Sequence, residues 1–195
     1  MEIRGTGSYL PGKIITNDDL SEVVDTNDEW ISSRTGICQR HISEGETTSE
    51  MAAKAAVAAL EDAEVSPEEV ELIIVATMTG DEAMPGTACK VQKEIGAVHA
   101  TCFDLSAACT GFVFALNTAN AYLASGMYRN ALVIGADMVS KVIDWTDRAT
   151  CVLFGDGAGA VFVRADNTKR YVAVTGSDGQ KGDVLQAGRI PLKNL

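Results

Sequence analysis

One cysteine has the surroundings that a catalytic thiol needs. Cys109 lies in the stretch 104–112, Asp-Leu-Ser-Ala-Ala-Cys-Thr-Gly-Phe, where a predicted strand ends, small residues turn the chain and a helix begins. The start of a helix directs backbone amides and the positive end of the helix dipole at the sulfur, which favours the thiolate. The small neighbours admit a substrate carbonyl, and amides of the same turn are candidate oxyanion donors. The pattern alone leaves two interpretations open, a nucleophile and a buried structural thiol.

The other cysteines and the two histidines do not complete this site. Five cysteines without a CxxC pair indicate neither a structural zinc site nor a disulfide framework, and no metal site is predicted. His41 lies in a polar segment and is predicted at the surface. His99 begins a predicted strand that runs toward Cys109, so it lies at the wrong end of that strand to touch the sulfur. The sequence therefore offers a nucleophile without a base beside it. The remaining cysteines are predicted within a helix (Cys89), within a strand (Cys102), after Gly36-Ile37 (Cys38) and before an apolar strand segment (Cys151).

Two further patterns are ambiguous. The stretch 155–159, Gly-Asp-Gly-Ala-Gly, has neither the lysine nor the spacing of a phosphate-binding loop, and we predict a tight turn where backbones approach closely. Trp30 and Arg34 lie on a short predicted helix, residues 28–33. Their spacing does not distinguish a ligand-binding pair from a packed tryptophan beside a solvated arginine.

Alternating helices and apolar strands predict an α/β fold with a mainly parallel sheet. Thr47–Glu50 is a capping box that begins an alanine-rich helix to about Ala63, and Ser66–Glu69 is a second box with proline at the first helical position. Further helices are predicted at 87–95, stopped by Gly96, and at 109–125, stopped by Gly126. Strands are predicted at 71–77, 99–105, 130–135, 160–163 and 171–175.

The predicted helix after Cys109 carries no charged residue between positions 110 and 123. A helix that is apolar nearly all round is typically buried, and one sheet covers only one of its sides. We therefore expect another domain or another chain to cover its second side. The alternative is that its small residues face water through Asn117, Thr118 and Asn120.

Composition restricts the function classes. The 195 residues carry 16 Lys and Arg against 27 Asp and Glu, a net charge of −11, and 46% are hydrophobic. This excess of negative charge argues against a general nucleic-acid binder and against adhesion to anionic membranes. The first residues lack a secretory signal, and the longest apolar stretch, near 112–123, is too short to span a bilayer. A soluble, cytoplasmic protein is expected.

Five segments together resemble a known family, 3-oxoacyl-(acyl-carrier-protein) synthase III, the initiating condensing enzyme of type II fatty acid synthesis. They occur in the family's order and at its spacings, and they cover its N-terminal half and a little more. The segments are Gly5–Pro11 (GTGSYLP), Asp28–Ile37 (DEWISSRTGI), Ala107–Phe112 (AACTGF), Thr146–Arg148 (TDR) and Phe154–Gly159 (FGDGAG).

The resemblance implies a thiolase fold, in which two similar halves pack into five layers around buried central helices. This chain then forms the N-terminal half, a mixed, mainly parallel sheet with a buried central helix. It implies that Cys109 accepts an acetyl or short acyl group from CoA and condenses it with malonyl-acyl carrier protein, with loss of CO2. CoA is then a substrate, and no permanently bound cofactor is expected. The residues implied for CoA are Trp30 and Arg148 around the adenine, Thr26 as its hydrogen-bonding partner and Arg34 at the phosphates.

The resemblance also implies that the protein forms a homodimer and that it acts with an acyl carrier protein. Met84 matches a position that reaches into the partner subunit's acyl pocket, where phenylalanine is common, and Phe154 is assigned to that pocket too. Methionine at position 84 and Ala149, where glycine is common, are departures that leave the choice of acyl primer open.

The family's catalytic His and Asn lie in its second half, and no residue here matches them. We therefore expect residues 1–166 to form the N-terminal thiolase-like half and residues 167–195 to begin the connection to a second half. The 195-residue chain alone is expected to be inactive in condensation. Two alternatives stay open: a cysteine-nucleophile α/β-hydrolase, because 107–111 resembles a nucleophile elbow, and a non-catalytic half that assembles with another chain.

Overall fold

The computed structural model describes residues 1–187, which form a mixed α/β unit built on a five-stranded sheet. The strands are β1 (Glu2–Tyr9), β2 (Lys13–Thr16), β3 (Gln39–Ile42), β4 (Leu72–Ala76), β5 (Thr101–Leu105), β6 (Asn130–Met138) and β7 (Asp156–Arg164). The helices are α1 (Asn17–Ser21), α2 (Asp28–Thr35), α3 (Thr48–Asp62), α4 (Thr87–Ile95), α5 (Gly111–Ala124) and α6 (Arg148–Cys151).

The main sheet has the order β1-β7-β6-β4-β5. The strand β4 pairs in parallel with β5 and β6, whereas β7 pairs antiparallel with both β1 and β6. The predicted mixed sheet is confirmed, but two of its pairings are parallel and two antiparallel, so it is not mainly parallel. The reason is that β6 and β7 are joined without a long crossover helix, so β7 returns along β6 in the opposite direction.

One face of the sheet is covered by α3 and α4. Thr47 caps α3, since its side chain accepts a hydrogen bond from the Glu50 amide while the Glu50 carboxylate accepts one from the Thr47 amide. The helix α3 lies directly against β1, where a Cβ atom at Gly7 would be 2.3 Å from the Ala55 carbonyl oxygen. A side chain at position 7 would thus push the helix off the sheet.

The helix α5 covers the other face. Its buried residues recur every fourth position, at Gly111, Ala115, Ala119 and Leu123. The opposite side is only half covered within residues 1–187, and Val113 is 48% exposed there. The sheet thus buries one side of α5, as expected, and cover of the second side by another domain or chain stays a prediction.

A smaller layer lies beside the sheet. The strands β2 and β3 form an antiparallel pair, and a separate apolar cluster joins α1, α2 and α6 through Leu20, Ile31, Cys151 and Val152. This layer positions the aromatic and basic residues singled out in the sequence.

The local sequence signals were largely confirmed. The helix Thr87–Ile95 ends at Gly96 as predicted, and Gly96 has a φ of 77°. The second capping box, Ser66–Glu69, starts a single 3-10 turn. The stretch 155–159 is not a tight turn, because β7 begins at Asp156, although Gly157 does lie close to the Tyr9 backbone.

The predicted strand 171–175 was wrong. The structure has irregular backbone there, and the Tyr171 hydroxyl donates a hydrogen bond to the Asn117 side chain of α5. The division at residue 166 stays a prediction, and part of the segment 167–195 lies outside the described residues. No helix in the described part of the chain is both long and apolar enough to cross a membrane.

Candidate active site

Cys109 lies between the end of β5 and the start of α5. Residues 108–110 form a 3-10 turn, and the α-helix begins two residues after the cysteine, at Gly111. The sequence predicted that the helix begins at about Cys109. The observed helix begins two residues later. The Cys109 side chain is exposed. The interpretation as a buried structural thiol therefore does not hold in the described part of the chain.

The turn that carries Cys109 is strained. Ala108 has a φ of 45°, in the left-handed region that a residue with a Cβ rarely adopts, at a cost of about 1 kcal/mol. Thr110 holds the turn, since its amide and its hydroxyl both donate to the Ala107 carbonyl, at 3.2 and 2.9 Å. Strain of this kind is typical of a residue that is presented to a ligand.

The same turn leaves a backbone donor free. Within residues 1–187 no acceptor is found for the Cys109 amide, whereas the Gly111 amide donates to the Ala108 carbonyl. Thr110, the residue before α5, makes no side-chain cap. A free amide beside the sulfur can receive the oxygen of a thioester carbonyl as it becomes negatively charged.

A glycine allows the helix to approach the sheet at this point. A Cβ at Gly111 would lie 3.1 Å from the Cβ of Ala76 at the end of β4. Such a contact is tighter than side chains normally accept, so a larger residue would move α5 and the cysteine turn with it.

Neither histidine is placed to act as a base for Cys109. His99 is exposed before the start of β5, at the opposite end of that strand from Cys109, as predicted. His41 was predicted at the surface, but it is half-buried on β3 with its Nδ1 atom 2.7 Å from the Pro11 carbonyl oxygen. That carbonyl fixes the imidazole by accepting a hydrogen bond from it.

Trp30, Arg34 and Arg148 come together in the smaller layer. The Arg148 guanidinium carbon lies 4.3 Å from the centroid of the Trp30 ring and that of Arg34 lies 4.6 Å from it. Asn27 caps α2, and Asp147 caps α6. The two helices thus carry the two parts of one stack, which is a cation–π arrangement suited to a flat ring.

Thr26 lies just before α2 and has a buried hydroxyl oxygen with no hydrogen-bond partner. It is the one such side-chain atom in the described part of the chain. Buried polar atoms are nearly always satisfied, and leaving one unpaired costs about 1–3 kcal/mol. A hydroxyl of this kind is available to a ligand.

Met84 lies on the loop between β4 and α4 and is 81% exposed. Asp104 on β5 holds one end of this loop, because its carboxylate accepts from the Thr87 and Ala88 amides at 2.6 and 2.7 Å. Asp137 on β6 holds the other end by accepting three hydrogen bonds from the residues that follow β4. Phe154 is half-buried between α6 and β7.

Three residues that shape the site were missed by sequence reasoning. Asp104 and Asp137 tie the Met84 loop to the sheet, and Arg40 is a buried cation that joins Asn17 of α1 to the end of α6. Their roles depend on partners 16 to 112 residues away along the chain, so no local spacing signals them.

Comparison with known proteins agrees with this geometry. A family model described as 3-oxoacyl-[acyl-carrier-protein (ACP)] synthase III matches residues 103–179, which include the cysteine turn and Arg148. Beta-ketoacyl-[acyl-carrier-protein] synthase III of Clostridium acetobutylicum is 58% identical over 186 residues, covering 95% of this chain and 57% of that protein. The chain is related to the 3-oxoacyl-(acyl-carrier-protein) synthase III family.

Solved structures of synthase III share the fold. The enzyme from Aquifex aeolicus is 52% identical with a TM-score of 0.84, covering 85% of this chain and 54% of that one. The enzyme from Pseudomonas aeruginosa is 43% identical with a TM-score of 0.89, covering 97% of this chain and 60% of that one. The expected thiolase-like fold is therefore confirmed, and the likeness disfavours the α/β-hydrolase alternative.

The chain spans about three-fifths of the length of the curated synthase III relatives it matches.

Proposed function

We propose that this chain carries the acyl-accepting site of a 3-oxoacyl-(acyl-carrier-protein) synthase III, an acyltransferase that starts type II fatty acid synthesis. The observation that carries the proposal is the exposed Cys109 in a strained turn at the start of α5, beside its own free amide. The family likeness of the whole chain supports it.

In the first half-reaction, the Cys109 thiolate attacks the thioester carbonyl of acetyl-CoA or a short acyl-CoA. The carbonyl oxygen becomes an oxyanion, which the Cys109 amide is placed to receive. Collapse of this intermediate breaks the bond to the CoA sulfur, and CoA leaves as a thiolate that takes up a proton. The acetyl group then remains on the cysteine as a thioester.

CoA is a substrate in this proposal, and the Trp30 stack is its adenine site. The adenine ring is held between Trp30 and Arg148. The Thr26 hydroxyl forms a hydrogen bond with the adenine, and Arg34 binds the phosphates. Arg148 lies directly on Trp30 in the structure. Binding therefore requires Arg148 and Trp30 to separate by one ring thickness.

In the second half-reaction, malonyl-acyl carrier protein loses CO2, and the resulting enolate attacks the acetyl thioester, giving acetoacetyl-acyl carrier protein and free Cys109. We assign no residue of this chain to holding the enolate. Residues 1–195 alone are therefore expected to accept an acetyl group slowly and to make no acetoacetyl product.

The exposed Met84 supports the proposal of a homodimer in which this side chain enters the partner's acyl pocket, with Phe154 in the pocket of its own subunit. Methionine is flexible, so it yields to longer acyl chains better than an aromatic ring does. In the dimer, Met84→Phe should lower turnover with four- or five-carbon primers about tenfold and spare acetyl-CoA. Equal loss with every primer would show that Met84 supports packing.

We also propose a cytoplasmic location. All five cysteines are free in the structure, and free thiols are typical of reducing compartments.

The central test is transfer of radiolabelled acetyl from acetyl-CoA to the folded protein. Label should appear on Cys109 and be lost in Cys109→Ala, while Cys89→Ala, which removes another exposed thiol, keeps it. Label that survives Cys109→Ala would remove the nucleophile from the proposal.

A further inference from the structure

Arg40 is a buried arginine that spans the gap between the two helices of the Trp30 stack. Its side chain lies in the smaller layer, and the residue is 4% exposed. Its Nε and Nη2 atoms both donate to the Val152 carbonyl, at 3.2 and 2.6 Å, and Nη1 donates to the Asn17 side-chain oxygen at 2.6 Å.

The Val152 carbonyl connects Arg40 to the helix that carries Arg148. Val152 is the residue that ends α6, and Arg148 is the first residue of the same four-residue helix. A two-pronged hydrogen bond to this carbonyl fixes the helix end in both position and direction, because a guanidinium is a rigid, planar fork.

The Asn17 side chain connects Arg40 to α2, the helix that carries Trp30. Its amide nitrogen donates to the Asp28 carboxylate and to the Ile37 carbonyl, both at 2.7 Å. Asp28 is the first residue of α2, and Ile37 follows directly after that helix. Asn17 thus holds α2 at both ends, and Arg40 joins Asn17 to α6.

Arg40 is a costly residue in this position. No carboxylate lies within ion-pair distance of it in the part of the chain that the structure describes. Burial lowers the pKa of Arg40, and the nearby Cys151 and Cys38 thiols oppose this in part. An apolar side chain would fill the same space without desolvating a charge. Only the guanidinium supplies hydrogen bonds both to Asn17 of α1 and to the end of α6.

We propose that Arg40 is a positioning residue that sets the distance and angle between α2 and α6, so that Trp30 and Arg148 can hold one adenine ring between them. The inference rests on the proposed function of this stack as the adenine site. Arg40 itself is buried and acts through Asn17 and the Val152 carbonyl.

The test compares two ligands by calorimetry in the protein that carries this sequence: CoA, and 4′-phosphopantetheine, which lacks the adenosine. Arg40→Lys keeps the charge but loses the fork, and Asn17→Ala breaks the other half of the link. In both variants we expect CoA affinity to fall about tenfold, because a misplacement of about 1 Å is enough for such a loss. The affinity for 4′-phosphopantetheine should stay within about twofold of the parent value.

Two further measurements separate positioning from general stability. Arg129→Lys alters another arginine whose Nε and Nη2 atoms both contact one carboxylate, that of Glu71, and it should leave CoA affinity unchanged. In a Trp30→Ala background, Arg40→Lys should cause little additional loss, because both substitutions act on the same ring contact.

Equal loss of both ligands, additive losses with Trp30→Ala, or unchanged CoA affinity in folded Arg40→Lys would each overturn the inference. A parent protein that binds no CoA would instead overturn the proposed function, and this inference with it.

Discussion

The helices α3 and α5 lie on opposite faces of the same sheet and have nearly the same length, 15 and 14 residues. The first buries nine residues and presents charged ones, such as Lys54 and Glu61, on its exposed side. The second buries four residues and carries no charge on either side. The α3 face is thus complete within this chain, whereas the α5 face still offers apolar surface.

The two helices also differ where they begin. A full capping box precedes α3, but no side chain caps α5, which starts just after Cys109. The turn before α5 leaves the Cys109 amide without an acceptor in the described part of the chain, and a reacting carbonyl oxygen needs such a donor. The less complete helix is therefore the one that follows the proposed nucleophile, and four predictions test this contrast.

The largest effect is expected where α3 meets β1. Gly7→Ala puts a Cβ 2.3 Å from the Ala55 carbonyl oxygen and 2.4 Å from the Ala59 amide nitrogen, both rigid backbone atoms. We expect a loss of about 3 kcal/mol or more in the free energy of unfolding, measured by urea denaturation. The matched control is Gly159→Ala on β7, where an added Cβ meets nothing within 4 Å. Equal stability of the two variants would mean that α3 is not fixed on the sheet.

The second prediction compares thiols on the two faces. Burial raises the pKa of Cys102, on the α3 and α4 side of β5, to about 11, with smaller contributions from Cys89 and Asp104. At pH 8 its thiolate is scarce, and its labelling should increase as the pH approaches 11. Iodoacetamide at pH 8 should therefore label Cys109 at least about a hundredfold faster than Cys102, as followed by mass spectrometry.

The exposed Cys89 on α4 separates accessibility from activation in that experiment. It should react faster than Cys102 and slower than Cys109, because the Asp104 carboxylate occupies the Thr87 and Ala88 amides at the start of α4 and opposes a thiolate there. Labelling of Cys89 ahead of Cys109 would show that the α5 turn gives its thiol no advantage.

The third prediction concerns association of the 195-residue chain expressed alone. Its uncharged α5 face should drive self-association, since exposed apolar patches commonly do so. Ala121→Lys puts a charge on the exposed side of α5 and should weaken association about tenfold, or about 1.4 kcal/mol, by analytical ultracentrifugation. Val57→Lys, on the exposed side of α3, should change little. If both variants disperse the chain equally, net charge is the cause and not the α5 face.

Much of the fold could be predicted because its signals are local. The capping box at Thr47 and the helix-ending Gly96 mark α3 and α4 within a few residues of where they lie. The direction of β7 could not be predicted in this way, because parallel and antiparallel pairing depend on which distant strand is the neighbour. The irregular segment 171–175 has strand-like residues, but it pairs with no strand within residues 1–187.

The residues of the candidate site likewise differ in whether local sequence signals predict them. Cys109 was found from its immediate neighbours, because a strand, a turn of small residues and a helix are all encoded within ten positions. The pairing of Trp30 with Arg148, 118 positions apart, came from the family resemblance alone. Arg40 gave no signal at all, since its role is set by Asn17 and Val152, which meet only in the folded chain.

The smallest effect is expected at the two helix starts. Thr47→Ala removes an oxygen that accepts from the Glu50 amide at 3.2 Å, so it should cost about 1 kcal/mol in the free energy of unfolding. Thr110→Ala removes a hydroxyl that donates to the Ala107 carbonyl without capping α5, so it should cost less than about 0.5 kcal/mol. Urea denaturation of both variants measures the difference, and Thr47→Ser, which keeps the oxygen, should restore most of the loss at position 47. A cost at Thr110 as large as that at Thr47 would mean that the Thr110 hydroxyl stabilises the start of α5 as much as a capping side chain does.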